Sequence, residues 1–339
     1  MRVVIAPDSF KGSLDARSVA EAIADGWRSV RPDDDLVLLP QADGGEGTLG
    51  AVAAAIPGAV RQPVGEVTGP DGRPVPGEWL QLPDGTAVVE LAQSSGIALM
   101  STLDPLGATT RGLGEVIAAA LRAGATSLMI GLGGSASTDG GEGALDALTG
   151  IEPPPLGVTV LTDVTAPLLG PTGAAGVFGP QKGATAADIV ILEQRLRDWA
   201  AGFDADPMTP GAGAAGGTAF GFFAAWNATI EPGSHTIATL TKLSEHLSNA
   251  DVLITGEGSF DDTSYTGKVV GHALERAQED NVARIIAIAG RFATEPHLPD
   301  GRAVASISLS ALAGSTEAAL ADPTHWLISA SQQAAKNVN

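Results

Sequence analysis

The chain has 339 residues with 44 Gly and 22 Pro, and its 19 Lys and Arg face 39 Asp and Glu, for a net charge of −20. Such an acidic chain, with 4% aromatic residues, argues against a nucleic-acid partner, which needs a basic surface, and against an anionic membrane surface. The absence of cysteine excludes disulfides, thiolate metal sites and Cys nucleophiles. The apolar run Val3–Pro7 is too short for a signal peptide, and glycines and prolines interrupt the uncharged stretch 207–230. We therefore expect a cytoplasmic protein with no membrane span.

Apolar runs alternate with helical patterns along the chain, which predicts βαβ units and an α/β fold with a largely parallel sheet. The predicted strands are Arg2–Ala6, Leu36–Leu39, Thr86–Leu91, Ser127–Leu132, Val158–Thr162, Val252–Thr255, Ala283–Ala289 and Ala303–Ile307. The predicted helices are Ala16–Val30, Thr48–Ile56, Gly112–Ala123, Ala186–Ala201, Thr236–Asn249, Gly267–Glu279 and Pro323–Ala335.

The segment Val64–Trp79 departs from this pattern, because a Pro-Asp-Gly turn at Pro70–Gly72 joins two segments typical of antiparallel strands. We place a second α/β domain with a mixed sheet at residues 66–245. Residues 1–65 and 246–339 then form a discontinuous first domain into which the second is inserted.

The loop after the first strand reads A-P-D-S-F-K-G-S. In an open α/β sheet, ligands bind beyond the carboxyl ends of the strands, so Asp8 and Lys11 are candidate catalytic residues. The structural alternative is a helix start with Ser13 as N-cap and Asp15 favouring the helix dipole.

The loop after the second strand reads D-G-G-E-G-T. Its paired glycines, Gly44 and Gly45, let backbone N–H groups approach a ligand closely. Asp43 and Glu46 would take a proton or a metal, although a plain Gly-rich turn is the alternative.

A third loop, G-L-G-G-S-A-S-T-D-G-G at Gly131–Gly141, follows an apolar strand and precedes a helical segment. Successive small residues and hydroxyls make a phosphate cradle. The chain contains no Walker A sequence, and Gly211–Gly216 matches Gly-x-Gly-x-x-Gly without a preceding strand, so it is a weak dinucleotide signal. The predicted phosphate- or substrate-binding residues of the third loop are Gly133, Gly134, Ser135, Ser137 and Asp139.

Three further segments carry chemistry at strand ends or glycine turns. Asp163 follows a strand and is a candidate catalytic residue, and Lys182 lies in the glycine turn 179–183 as a candidate anion ligand. The acidic segment 255–262 supplies Glu257 and Asp261 as candidate metal ligands, or is a solvated acidic turn. Beside it, Thr266-Gly267-Lys268 opens a helix and adds Lys268 as a candidate phosphate ligand.

The five histidines have no zinc-site spacing, and no Gly-x-Ser-x-Gly nucleophile motif exists. What remains is glycine-rich anion loops, strand-end carboxylates and a few lysines. Phosphoryl transfer uses this combination, with lysine and backbone N–H groups on phosphates and carboxylates on Mg²⁺.

These loops, taken in order, resemble the type I (bacterial) glycerate kinase family. The resemblance rests on the three loops above together with G-P-Q-K-G-A at 179–184, G-A-G-A-A-G-G at 211–217 and T-G-E-G at 255–258. It implies phosphorylation of D-glycerate with ATP and Mg²⁺, with 2-phosphoglycerate favoured as product and 3-phosphoglycerate possible. It also implies a flavodoxin-like domain built from both chain ends, with another α/β domain inserted.

This chain departs from the family pattern in two places. The segment Glu142–Leu161 is shorter than is usual, and Thr162 and Ala166 stand where the family has Cys and Asn. Two other functions stay open, a GHMP-type small-molecule kinase and a non-catalytic protein that binds an acidic metabolite. We expect a monomer or a homodimer.

Overall fold

The computed structural model describes residues 1–265 and 267–338; Thr266, in the predicted helix start, lies outside the described residues. The strands are β1 (Arg2–Ile5), β2 (Asp35–Leu38), β3 (Val60–Thr68), β4 (Pro74–Gln81), β5 (Thr86–Glu90), β6 (Ser127–Gly131), β7 (Val158–Leu161), β8 (Thr229–Glu231), β9 (Val252–Phe260), β10 (Arg284–Phe292) and β11 (Ala305–Ser308).

The helices alternate with these strands. They are α1 (Ala16–Val30), α2 (Thr48–Ala55), α3 (Leu91–Ser95), α4 (Arg111–Arg122), α5 (Glu142–Ala147), α6 (Ala174–Phe178), α7 (Ala186–Ala200), α8 (Ala214–Trp226), α9 (Gly233–Leu240), α10 (Leu243–Leu247), α11 (Val269–Glu279), α12 (Leu309–Ala313), α13 (Thr316–Ala321) and α14 (Pro323–Asn337). Short 3₁₀ helices lie at Ile97–Leu99, Pro180–Lys182 and Asp262–Tyr265. None of the helices described is long and apolar enough to cross a membrane.

The chain forms two compact units. The first contains residues 1–42, 50–57 and 234–339, and the second contains residues 43–49 and 58–233. The units change at 57/58 and 233/234, whereas the sequence pattern placed the domain boundaries at 65/66 and 245/246. In addition, the D-G-G-E-G-T loop belongs to the second unit. That these units correspond to separately folding domains stays a prediction.

The sheet of the first unit is entirely parallel and has the order β11-β10-β9-β1-β2. Val3 of β1 pairs with Leu36 on one side and with Val252 on the other. Numbered along this unit alone, the order is the 2-1-3-4-5 arrangement of flavodoxin-like folds. The predicted fold class is confirmed for this unit.

Both faces of this sheet are covered, as the uninterrupted apolar run of β1 predicts. Val3 and Ile5 pack on one face with Trp27 of α1 and Leu327 of α14. Val4 points to the opposite face, into a cluster with residues of α9, α10 and α11. The helices therefore lie on both sides of the strands, and only the strand ends are left for a ligand.

The sheet of the second unit has the order β3-β4-β5-β6-β7-β8. Strands β3, β4 and β5 pair antiparallel, and β5 through β8 pair parallel. Gly72, in the predicted Pro-Asp-Gly turn between β3 and β4, has φ of +83°, which favours glycine. The predicted mixed sheet of the second α/β unit is confirmed.

Two of the predicted elements were wrong in detail. The helix expected over Thr236–Asn249 is two helices, because Lys242 takes a left-handed backbone with φ of +58° and separates α9 from α10. Strand β9 continues to Phe260 through the glycines that predicted a loop. A Cβ on Gly256 would lie 1.9 Å from the carbonyl oxygen of Ile288, so glycine is what lets β9 and β10 stay paired here.

The N-cap of α1 is Asp15, not Ser13. The carboxylate of Asp15 accepts a hydrogen bond from the backbone N–H of Ser18 at 2.7 Å. The predicted alternative for this loop was therefore wrong in its capping residue, and Ser13 is left to face a cavity.

Candidate active site

The order of the first sheet reverses between β1 and β9, which is where open α/β sheets bind ligands. A cavity of about 320 Å³ lies there, and we call it the strand-end cavity. It is lined by residues that follow or end β1, β9, β10 and β11, together with residues of the C-terminal helices. The predicted residues Asp8, Lys11, Glu257 and Lys268 all line it.

Three basic side chains line the strand-end cavity in a chain that has only 19. Lys11 is exposed. The Lys268 ammonium donates to Thr263 Oγ1 at 2.6 Å, and Arg291 Nε donates to Ser259 Oγ at 3.0 Å. Cations concentrated in one cavity of an acidic protein attract an anionic ligand.

Within residues 1–265 and 267–338, the lining of the cavity includes buried polar atoms that have no hydrogen-bond partner. These are Ser9 Oγ, Ser13 Oγ and Glu257 Oε1. Buried polar groups are normally satisfied, so a ligand in the cavity would supply the missing partners. Burial raises the pKa of the Glu257 carboxyl, against the lowering effects of Ser264 and Lys268.

One wall of the cavity is apolar. Phe10, Leu309 and Ala319 are buried there, and Leu320 and Pro323 complete the wall. A cavity whose lining combines apolar side chains with cations fits an amphipathic anion.

Asp261, predicted as a metal ligand with Glu257, has another role in this geometry. Its Oδ1 accepts from the N–H of Thr263 at 2.8 Å and from Thr263 Oγ1 at 2.6 Å, and these hydrogen bonds lower its pKa. Among residues 1–265 and 267–338, no three His, Asp or Glu side chains are grouped to hold a metal ion.

The second unit contains the other group of predicted residues. Residues 43–49, the acidic-glycine loop, are held by Glu90 at the end of β5. Glu90 is 3% exposed, its Oε1 accepts from the N–H of Gly47 at 3.0 Å, and its Oε2 accepts from the N–H of Leu49 at 3.1 Å. Burial raises the pKa of Glu90 to about 7. The sequence interpretation missed Glu90 because it treated the residue as part of an apolar strand.

The glycines of the acidic-glycine loop pack against residues 131–141, the serine-glycine loop. The N–H of Gly133 donates to the carbonyl of Gly44 at 3.1 Å. A Cβ on Gly133 would lie 2.4 Å from the Cα of Gly45. Close approach of two backbones thus accounts for Gly133, and Gly44 has φ of +85°, which favours glycine. The predicted contact of Gly44, Gly45 and Gly133 with phosphate stays a prediction.

Lys182 is one of the largest fully buried side chains, with 2% of its surface exposed. Its ammonium donates to Ser135 Oγ at 2.8 Å and to the carbonyl of Ser137. Burial lowers the pKa of Lys182 to about 7. The structure thus brings Lys182 and the serine-glycine loop, which were predicted separately as anion ligands, together through contacts inside the protein.

Within the described part of the chain, four hydroxyl groups of the second unit are buried without a hydrogen-bond partner. They belong to Ser94, Ser95, Ser137 and Thr138. Thr138 also lines a separate cavity of about 680 Å³ in the second unit. These hydroxyls are available for an anion, and the sequence interpretation identified only Ser137 among them.

The remaining predicted residues lie in the second unit. Asp139 accepts from the N–H of Thr110 at 2.8 Å and from Thr110 Oγ1 at 2.7 Å, so it stabilises the serine-glycine loop and its predicted contact with an anion gains no support. Asp43 Oδ1 accepts a hydrogen bond from the N–H of Gly45 at 2.9 Å. The side chain of Glu46 is exposed and that of Asp163 is half-buried. Gly134 has a left-handed backbone with φ of +75°.

Sequence reasoning also missed Arg291. The predicted strand ended at Ala289, whereas β10 continues to Phe292 and brings Arg291 to the cavity. The signal was present in the sequence, since Gly290-Arg291 follows an apolar strand as the other strand-end motifs do.

A flavodoxin-like sheet with a cation-lined cavity at its switch point, joined to a unit rich in glycine loops, defines an α/β protein built to bind anions. The chain matches the Glycerate kinase family over residues 3–153 and 151–339. It is 40% identical to the glycerate 2-kinase of Escherichia coli K12 over 306 residues, which cover 79% of this chain and 80% of that protein.

Two other similarities extend this match. The chain is 39% identical to the glycerate kinase of Bacillus subtilis 168 over 332 residues, covering 87% of this chain and 86% of that one. It also superposes on the crystal structure of a putative glycerate kinase 2 from Salmonella typhimurium LT2 with a TM-score of 0.81 and 35% identity, covering 100% of this chain and 98% of that one. The chain belongs to the glycerate kinase family and is an enzyme of the kinase class. The resemblance noted from the loops is confirmed.

Proposed function

We propose that this enzyme transfers the γ-phosphoryl group of ATP to D-glycerate in the presence of Mg²⁺, with 2-phosphoglycerate as the favoured product and 3-phosphoglycerate as the alternative. One observation carries the proposal. The strand-end cavity gathers Lys11, Lys268 and Arg291 at the switch point of the sheet in a chain with a net charge of −20.

The nucleotide fits the strand-end cavity better than glycerate alone. Its base would lie against the apolar wall near Leu309 and Pro323, and its phosphates would lie near the three cations. Positioning and charge neutralisation supply nearly all of the catalysis in phosphoryl transfer, and both are offered by these side chains.

Glu257 is the residue in the cavity that fits a magnesium ion, because its Oε1 is buried without a partner. When bound, Mg²⁺ would supply positive charge to the phosphate oxygens. Burial raises the pKa of Glu257, and the nearby Lys268 and Lys11 act in the opposite direction; a bound cation would favour the ionised carboxylate further.

In the transfer itself, a glycerate hydroxyl oxygen attacks the γ-phosphorus, and the bond from that phosphorus to the β,γ-bridging oxygen breaks. The hydroxyl proton passes to a carboxylate. Asp8, which is 7% exposed and lines the cavity, is one candidate for this base, and Asp43 and Asp163 of the second unit are the others. The anion contacts predicted for Gly44, Gly45, Gly133, Gly134, Ser135, Ser137 and Lys182, which all lie in the second unit, stay a prediction.

The position of transfer is proposed from the E. coli relative, which carries the name glycerate 2-kinase. Of the two open alternatives, the GHMP-type kinase predicted a different fold and no role for the acidic-glycine loop, so family membership removes its support. A non-catalytic binding protein would hold the same ligands but release no ADP.

The deciding experiment is a coupled ADP-release assay with D-glycerate and ATP, followed by phosphorus NMR of the product. We expect ADP release that requires both D-glycerate and Mg²⁺, and a phosphomonoester signal of 2-phosphoglycerate. Tight glycerate or ATP binding without ADP formation would overturn the catalytic assignment, and a 3-phosphoglycerate signal would overturn the position of transfer alone. A cytoplasmic location would follow from the use of ATP.

A further inference from the structure

A second cavity in the first unit lies among α9, α10 and α11 and has a volume of about 250 Å³. Four of its eight lining residues are basic, namely His235, Lys242, His272 and Arg276, against the single acid Glu245. The whole chain has about twice as many acidic as basic residues, so an excess of basic residues around one cavity is unusual for this protein. We call it the helix cavity.

The fold directs these groups to one place. His272 and Arg276 are four residues apart on α11 and therefore share one face of that helix. His235 comes from α9, where its ring lies 5.3 Å from that of His272 between centroids, nearly perpendicular to it. Lys242 comes from the break between α9 and α10, at the left-handed backbone position, a conformation that costs a non-glycine residue about 1 kcal/mol.

Hydrogen-bond donors of several geometries surround the cavity. Arg276 Nε donates to Ser244 Oγ at 3.0 Å, and Ser244 and Thr239 bring hydroxyl groups to the lining. Burial, with His235 and Arg276 nearby, lowers the pKa of His272 to about 4, so its neutral ring offers one N–H donor near pH 7. A tetrahedral oxyanion has enough acceptor oxygens to use donors that approach from several sides.

Glutamates at the edge satisfy the cations only weakly. Lys242 lies 3.4 Å from Glu245, and the two side chains are 62% and 70% exposed. Arg276 pairs with Glu279 at 2.7 Å, and His272 lies 3.8 Å from Glu275. The exposed pair of Lys242 and Glu245 is therefore weak, so a doubly charged ligand can displace it.

We infer that the helix cavity binds a small phosphomonoester through Lys242, Arg276 and the imidazoles of His235 and His272. The cavity volume leaves room for a short carbon chain beside the phosphate. Inorganic phosphate contains the shared group and is the probe for the test. The inference does not depend on the proposed kinase reaction.

The experiment follows the imidazole signals of the five histidines by ¹H–¹⁵N NMR of the full-length protein during a phosphate titration. We expect saturable shifts of the His235 and His272 signals below about 10 mM phosphate. Arg276→Gln and Lys242→Gln should each weaken this binding about tenfold, as fits the loss of a charge-assisted hydrogen bond.

Two controls separate this site from general charge effects and from the strand-end cavity. Arg17→Gln and Lys336→Gln remove exposed basic residues elsewhere, and they should leave the phosphate affinity unchanged. Lys11→Gln should also leave it unchanged, because Lys11 lines the other cavity. Each variant's thermal unfolding curve checks that it is folded.

No shift of either histidine at about 10 mM phosphate would overturn the inference. So would shifts that the Arg276→Gln and Lys242→Gln variants leave intact, or shifts that disappear in the Lys11→Gln variant. Because no turnover is measured, the result is independent of the ADP-release assay, and either assignment can fail while the other holds.

Discussion

The loop after β1 and the serine-glycine loop after β6 have similar compositions but different environments. In the first unit, Lys11 is exposed and lines a cavity with Lys268 and Arg291. In the second unit, Lys182 is buried and its ammonium contacts the loop itself. The lysine near each loop is thus exposed at a cavity in one case and buried against the loop in the other.

The physical difference lies in how closely two backbones approach. A Cβ on Gly12, in the loop after β1, would have no atom within 4 Å, whereas one on Gly133 would lie 2.4 Å from Gly45. Gly12 therefore lies in an open part of its loop, whereas Gly133 lies where two backbones are packed together. The following substitutions test this comparison.

The largest effect is expected on turnover. Lys11→Ala and Asp43→Asn should each lower kcat at least about 100-fold, the size found when a group that stabilises transition-state charge is removed. Steady-state kinetics with D-glycerate and ATP measure this, and Lys336→Ala is the matched control. Thermal unfolding should change little. Wild-type rates in both variants would remove Lys11 and Asp43 from the mechanism, and a loss in only one would show which unit carries the chemistry.

We expect the ionisation of Lys182 to make the free energy of unfolding depend on pH. Its pKa is about 7 in the folded protein against 10.5 as its ordinary value, so between these values the unfolded chain holds the extra proton. The free energy of unfolding should therefore rise with pH across this window, by up to about 1.4 kcal/mol per pH unit.

The variant Lys182→Met should lack that rise. Urea unfolding at several pH values between about 7 and about 10 measures it. The exposed Lys336→Met should keep the wild-type slope. If Lys182→Met also keeps it, Lys182 is solvated and the contrast with Lys11 is lost.

Two glycine substitutions sharpen the contrast in packing. Gly133→Ala should destabilise the protein by about 1–3 kcal/mol or more, because its Cβ would collide with backbone that cannot rotate away. Gly12→Ala has only its left-handed φ of +75° to overcome, at about 1 kcal/mol. Urea unfolding of both variants gives the comparison, and equal losses would contradict it.

The smallest effect is expected at Glu90. Its pKa is about 7 when folded against 4.5 ordinarily, so the folded state holds the extra proton between these values. This contribution to stability falls as the pH rises through that window. Glu90→Gln should lack the fall and should lose about 1 kcal/mol through an unsatisfied N–H of Gly47 or Leu49.

Urea unfolding of the wild type and the Glu90→Gln variant at about pH 5 and about pH 8 tests both statements. Glu78→Gln is the control, since Glu78 lies on β4 and its side chain is 31% exposed. A pH-independent difference between Glu90→Gln and the wild type would show that Glu90 does not titrate in this range.

The sequence was sufficient for elements whose burial decides their structure. The apolar run of β1 and the periodicity of α1 predicted both their type and their place. The sequence was also sufficient to predict that Asp8, Lys11, Glu257 and Lys268 lie at one edge of the sheet, because parallel strands bring their carboxyl ends to the same edge.

The features that the sequence did not predict depend on contacts between residues far apart in the chain, which a local sequence pattern does not reveal. The sequence pattern predicted Gly256 to be in a loop, but it lies in strand β9. It is glycine there because a Cβ would collide with the carbonyl of Ile288. The sequence predicted Lys182 to be an anion ligand, because the residues next to it in sequence give no sign that its side chain is buried. Arg291 was missed because the length of β10 is set by its pairing with β9.

The position of β1 in its sheet has a consequence for how the protein matures. β1 lies between β2 and β9, and Thr255 Oγ1 of β9 donates to the carbonyl of Ala6, which is 249 residues away in sequence. During synthesis, β1 can pair early with β2, but it waits for its second neighbour, β9, until the whole intervening segment has left the ribosome. Since distant pairings are slow to form, we expect the intervening unit to acquire hydrogen-exchange protection first in a pulse-labelling experiment. Earlier protection of β1 would contradict this order.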